Sequence, residues 1–246
     1  GRLGCAQFAV AVLSAAVVVV LFQMGWNPSI CEAIEQLTEP AEIRQGELQW
    51  TGPAPQRLGR GSFVSFVVDP NNTGRLGDAA DVEWILTRTG IRLRSLFGSA
   101  YFSYPANRVI SLNRQELKPW WGAWRPVVYA GIVAACVGAL FLIWWVLAAL
   151  YVFPVRLISF YLDREVTWMS AWRLAGAAVL PGALFLDLAI LGYALNRLNL
   201  LQLLGVVAAH FVVGWIYVIA GPAGLPGLKS SSGGALRPKN PFTAKA

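Results

Sequence analysis

Two side chains lie inside long uncharged stretches and could do acid–base chemistry there: Asp187 and His210. A carboxylic acid and an imidazole can exchange a proton near neutral pH, and ionisable groups within apolar helices are costly and often mark proton or ion paths. Asn196–Asn199 reads as a turn between two helices. Counted from it, Asp187 is about nine residues deep and His210 about eleven, which is ~13 and ~16 Å at ~1.5 Å per residue. Antiparallel neighbours would therefore bring them to one level as a candidate intramembrane polar pair. The plainer role is that they bond each other or a nearby backbone and fix helix packing. The chain holds a single histidine, so no second imidazole extends a relay, and packing is the favoured reading.

Elsewhere the residues with chemical potential are scattered. Asp69, Asp78, Asp81 and Glu83 could form a carboxylate dyad, but nothing ranks one pair over another. Asp69-Pro70-Asn71-Asn72-Thr73-Gly74 lacks the twelve-residue spacing and terminal Glu of a calcium loop and reads as an Asx-type turn leaving a strand. Asn71-Asn72-Thr73 also matches a glycosylation sequon, a frequent chance match. The three cysteines, Cys5, Cys31 and Cys136, form no disulfide framework, and no Cys/His metal spacing exists. Nucleophile-elbow, phosphate-loop, dinucleotide, zinc-protease and C-x-x-C motifs are absent. With the lone His in an apolar helix, Ser–His or Cys–His catalysis in the polar part is excluded. The expectation is a protein that is not an enzyme, with no catalytic, cofactor-binding or metal residues.

The elements that hold these residues follow from composition. Of 246 residues, 56% are hydrophobic and 13% charged. Soluble domains average ~25% charged, and a water-facing surface depends on that charge. A bilayer core of ~30 Å takes ~20 apolar residues. Four stretches qualify: 6–25, 126–152, 174–195 and 200–220. After the first, Phe22-Gln23-Met24-Gly25-Trp26 offers no small-x-small cleavage site, so a retained helix is expected rather than a signal peptide. Tryptophans at 120, 121, 124, 144 and 145 sit where interfacial aromatics belong. Residues 153–173, mixed apolar and charged, read as an amphipathic segment on the cytoplasmic face. Residues 221–246, rich in Gly, Pro, Ser and basic side chains, read as a disordered basic tail.

Residues 26–125 have the character of a soluble domain. Ser29–Leu37 reads as a short helix with Ser29 as N-cap and Glu32 three residues on. Beyond it the pattern turns to period two. Glu42–Trp50 is broken by a turn at Gly46, and Ser62–Asp69 is a strand. Val82–Thr87 and Ile91–Leu96 flank a hairpin turn, while Tyr101–Tyr104 and Arg108–Leu112 complete a sheet. Ile91 and Leu93 alternate with Arg92 and Arg94, as in a sheet with one wet face. The fold class is membrane α-helical: about four transmembrane helices, with an extracytoplasmic, mainly antiparallel α+β domain between helices 1 and 2.

Orientation follows the Lys/Arg bias of short loops. Arg156, Arg164 and Arg173 lie in one loop and Lys229, Arg237, Lys239 and Lys245 in the tail, against Arg197 alone in the 196–199 turn. Both termini are expected in the cytoplasm, with residues 26–125 periplasmic or extracellular and the chain multi-pass in the cell inner (plasma) membrane. The net charge is +7, but the arginines form no block or stripe, so nucleic acid is not an expected partner.

Three segments resemble an uncharacterised bacterial integral-membrane family, related to the Yip-one-like membrane proteins, that includes a maltodextrin-utilisation membrane protein. Glu42–Trp50 resembles its strand–Gly turn–strand entry to the exported domain. Phe66–Gly74 with Val82–Leu93 resembles its strand–Asp turn and hairpin, and Ser170–Phe185 its Arg…Ala…Pro helix. Members often carry a further membrane helix, and the family has no established catalytic residues. The resemblance implies a role accessory to an envelope or uptake system. Three functions then stand. The first is a non-catalytic accessory or scaffold component whose partners are membrane lipid and other membrane or envelope proteins. The second is a small oligomeric transporter or proton-coupled channel using Asp187 and His210. The third is an envelope sensor.

Overall fold

The computed structural model describes residues 1–37, 41–75, 80–225 and 227. The chain divides into two compact units. One holds Gly1–Val18, Val133–Tyr193 and the described residues from Leu201 on; the other holds Val19–Ile132 and Ala194–Leu200. Among the described residues, four helices are long and apolar enough to cross a membrane.

The unit centred on residues 19–132 carries two sheets. Strands β1 (Ala41–Arg44), β2 (Glu47–Gln49) and β8 (Ile110–Leu112) form one, in the order β2-β1-β8. Strands β3 (Gln56–Gly59), β4 (Val64–Val68), β5 (Val82–Leu86), β6 (Gly90–Ser95) and β7 (Gly98–Ser103) form the other, in that order. Pairing is antiparallel except between β4 and β5. The β1–β2 connection is two residues, Gln45 (φ 55°) and Gly46 (φ 79°). Two consecutive left-handed residues match the strand twist, and glycine makes the second inexpensive. Strand β3 has no counterpart among the sequence expectations: Gln56-Arg57-Leu58-Gly59 is short, follows Pro53 and Pro55, and is bulged between Arg57 and Gly59. Pairing with β4, rather than its own propensity, makes it a strand.

Helix α1 (Arg2–Leu21) continues through a π-type turn, Phe22–Trp26, into α2 (Asn27–Glu35). The N-cap expected at Ser29 is therefore corrected. The residues on either side of the turn stay helical, Pro28 occupies the opening turn of α2, and Ser29 is buried inside it. Ala33 and Leu37 pack into a core with Ile43, Leu48, Leu58, Val68 and Tyr104. Helix α3 (Arg114–Tyr161) starts at a capping box. The Asn113 Oδ1 accepts from the Glu116 N–H at 2.8 Å, and Asn113 Nδ2 donates back to Glu116 Oε1 at 3.0 Å. Its first turns run antiparallel to the α1–α2 helix: Trp121 Nε1 donates to Asn27 Oδ1 (3.1 Å), and Lys118 Nζ pairs with Glu35 (3.1 Å).

The described residues of the other unit are mainly helical. At 48 residues α3 is ~72 Å long, more than twice a bilayer core. The separate amphipathic segment expected at 153–173 is not formed as one element. Tyr151, Val152, Val155 and Ser159, spaced by a helical turn, are all buried, so the packing stripe carries α3 straight past Pro154 to Tyr161. The break falls at Leu162–Thr167. There a second capping box begins α4 (Trp168–Ala194): the Ser170 N–H donates to Thr167 Oγ1 (3.2 Å), and the Thr167 N–H donates to Ser170 Oγ (2.8 Å). Helix α5 (Leu200–Ala220) follows after a turn that includes Asn196 at φ 55°. Of the disordered tail expected at 221–246, Gly221–Gly224 instead form a short 3-10 turn with Pro222 buried, and the residues beyond Gly227 lie outside the described ones.

Candidate functional site

The core of the helical unit is built from small residues. Ala11, Ala171, Ala175 and Ala178 are essentially fully buried, along with Tyr151, Val152, Val155 and Val218. Small side chains let helix backbones approach, which is the main source of helix association in lipid. Residue contacts give the directions. Gln7 Nε2 donates to the Gly176 carbonyl (3.2 Å), and Ser14 Oγ donates to Asp187 Oδ2 (2.8 Å), so α1 and α4 run parallel. Gly182 meets His210, Ala178 meets Gly214 and Leu174 meets Gly221, so α4 and α5 run antiparallel. Trp145 against Trp172 and Phe153 against Trp168 make α3 and α4 antiparallel as well.

Asp187 is 6% exposed, and the Ser14 hydroxyl is its hydrogen-bond partner among the described residues. His210 is not. Its Nδ1 faces the Val207 carbonyl of its own helix, and it packs against Gly182, five residues before Asp187 and ~7.5 Å away along α4. The expected Asp187–His210 pair is thus corrected: His210 meets α4 five residues deeper than Asp187, so the depths counted from the turn do not coincide, and each side chain bonds elsewhere. The residue missed was Ser14. Gln7, Ala11, Ser14 and Ala15 share one face at spacings of three and four, and Gln7 and Ser14, the two polar side chains between Ala6 and Phe22, were the available signal.

In the sheet unit, Asp69 and Glu83 are engaged separately. Asp69 is 3% exposed and accepts from the Gly74 N–H (2.9 Å) and the Thr73 hydroxyl (3.2 Å), closing the turn after β4. Burial pushes its carboxyl up, while hydrogen bonds from Thr73, Gly74 and Asn72 pull it down. The hydrogen bonds win, holding it below the usual carboxylate range. Glu83 is buried and ion-paired with Arg94 Nη1 at 3.2 Å, its cross-strand neighbour. Parallel register sets Ser65 beside Glu83, so Asp69 is four residues further along, ~13 Å away. Asp69 and Glu83 are no dyad, and Asp78 lies outside the described residues. Among the described residues no three His, Cys, Asp or Glu side chains gather as a metal group.

The arrangement defines a class: four apolar helices capable of spanning a membrane, joined in sequence to a two-sheet unit, with one buried acid bonded between helices. Comparison with protein-family models, curated proteins and solved structures finds no match.

Proposed function

We propose that the chain is a multi-pass protein of the cell inner (plasma) membrane, with both termini cytoplasmic and residues 26–125 outside. It acts as a non-catalytic accessory or scaffold component of an envelope complex. One observation carries this: Asp187, an acid buried in an apolar helix, is bonded to Ser14 of α1, while His210 bonds the backbone of its own helix. A carboxyl held by one hydroxyl between parallel helices fixes their register. The resemblance to the Yip-one-like membrane family supports the same role.

The test is mild detergent extraction followed by native-mass separation. Stoichiometric co-migration of other membrane proteins, retained in Asp187→Asn and His210→Gln, is the expected result. A chain that always migrates alone removes the reading. Reconstituted ion or proton flux abolished by those two substitutions would replace it with the transport reading.

A further inference from the structure

Among the described residues strand β7 is an uncapped sheet edge, and we propose that it pairs with β7 of a second copy of this chain to continue the five-stranded sheet across a two-fold axis. This deepens the assembly reading by naming one surface and one partner. Unpaired strand edges are a liability that proteins blunt with shortness, charge, bulges or covering elements. Among the described residues the other three edges are blunted. β2 has three residues, one of them Glu47, and the Leu48 N–H is already taken by the Arg88 carbonyl at 2.7 Å. β8 has three residues, and β3 has four, with a bulge and α2 against it. β7 has six residues, Gly98-Ser99-Ala100-Tyr101-Phe102-Ser103, all exposed and none charged. No charged residue occurs between Ser95 and Asn107, and Phe97 and Phe102 beside or within the strand are 76% and 59% exposed.

The backbone specifies what the edge takes. The Tyr104 N–H donates to Thr89 on the β6 side. Alternation along the strand therefore points the N–H and C=O groups of Ser99, Tyr101 and Ser103 away from β6. Three donors and three acceptors in a row accept an extended strand, with no side-chain pocket needed. A second β7 fits them. With the two-fold axis at Tyr101, the three outward-facing residues meet one another: Ser99 opposite Ser103 of the second copy, and Tyr101 opposite its own image. On the other face the small Ala100 lies opposite the bulky Phe102 of the second copy. No like charges meet, because the strand has none.

The register makes a sharp test in native membranes. In a background with Cys5, Cys31 and Cys136 changed to Ser, Tyr101→Cys places two thiols on the axis. Opposed residues there have Cα atoms ~5.5 Å apart, within disulfide range. Phe97→Cys, more exposed but eight residues from its own image, is the control. Expected are a covalent dimer for Tyr101→Cys, none for Phe97→Cys, and loss of the dimer when Ser99→Pro removes an outward N–H without touching β6 pairing. In the unaltered chain, hydrogen exchange of residues 96–104 should slow as protein concentration rises. Equal cross-linking at 97 and 101, no cross-linking at either, or capture of a different protein at 101 would overturn the proposal. So would concentration-independent exchange that slows only on adding lipid vesicles. Co-migration of other proteins on extraction is a separate readout, so β7 pairing can fail while the scaffold reading stands.

Discussion

The Ser14 hydroxyl and the Asp187 carboxyl lie 173 positions apart in sequence and 2.8 Å apart in space, and each is an ordinary residue until the other is placed. Hydrogen bonds between membrane helices average ~0.6 kcal/mol and reach ~1.7. Ser14→Ala is therefore expected to cost about 0.5–2 kcal/mol in thermal unfolding in detergent. Asp187→Asn keeps an acceptor and should cost less than Asp187→Leu, which strands the hydroxyl; equal losses for both would show that the bond is not formed. Asp69 gives a residue-level prediction of a different kind. Its folded-state pKa lies below the unfolded one, so its ionised form stabilises the fold at every pH above the ordinary carboxylate value of about 4. That contribution is lost as pH falls through the depressed folded value. Denaturant midpoints measured from pH 7 down to pH 2 should drop on the acid side, and Asp69→Asn should flatten that drop while lowering stability at neutral pH by about 1–3 kcal/mol.

Between elements, α4 lies close against α5 at Gly182. A Cβ built there would lie 2.8 Å from the His210 carbonyl oxygen, a backbone atom that cannot swing aside. Gly182→Ala should destabilise by about 1–3 kcal/mol as the helices are forced apart. Gly205→Ala, with nothing within 4 Å, should stay within about 0.5 kcal/mol in the same assay. The contrast tests the packing, since both substitutions carry the same gain in helix propensity. Elements set by local pattern were legible: the apolar runs, the Gly46 turn and the hairpin at Arg88–Gly90 rest on composition and period alone. Elements set by tertiary contact were not. β3 exists through β4, α3 runs past Pro154 on the burial of Tyr151, Val152 and Val155, and Ser29 is helical because α1 leads into it. The site divides the same way. An acid in an uncharged run is visible at once, but its partner depends on which helices touch and on which face, and depth counting from a turn carries no information about face.

For the whole molecule, the charges and the helix directions bear on one topology from independent sides. Arg156, Arg164 and Arg173 cluster about the α3–α4 break, and Arg197 is alone at the α4–α5 turn. Positive loops tend to stay cytoplasmic, so the proposed topology puts the first connection inside and the second outside. Within the helical unit α1 and α4 are parallel and α3 and α5 both oppose α4. Four successive spans that alternate in direction require that relation, so the proposed arrangement asks for no further membrane-crossing helix between α1 and α3. Single cysteines at exposed positions, in the same Ser-substituted background, test it with an impermeant thiol reagent on intact cells. Asn107→Cys in the sheet unit and Arg197→Cys in the α4–α5 turn should label from outside. Glu165→Cys should label only after the membrane is opened. Labelling of Glu165→Cys in place of the other two would invert the chain, and labelling of all three from outside would mean that α4 does not cross, leaving the Arg-rich loop on the wrong side of the membrane.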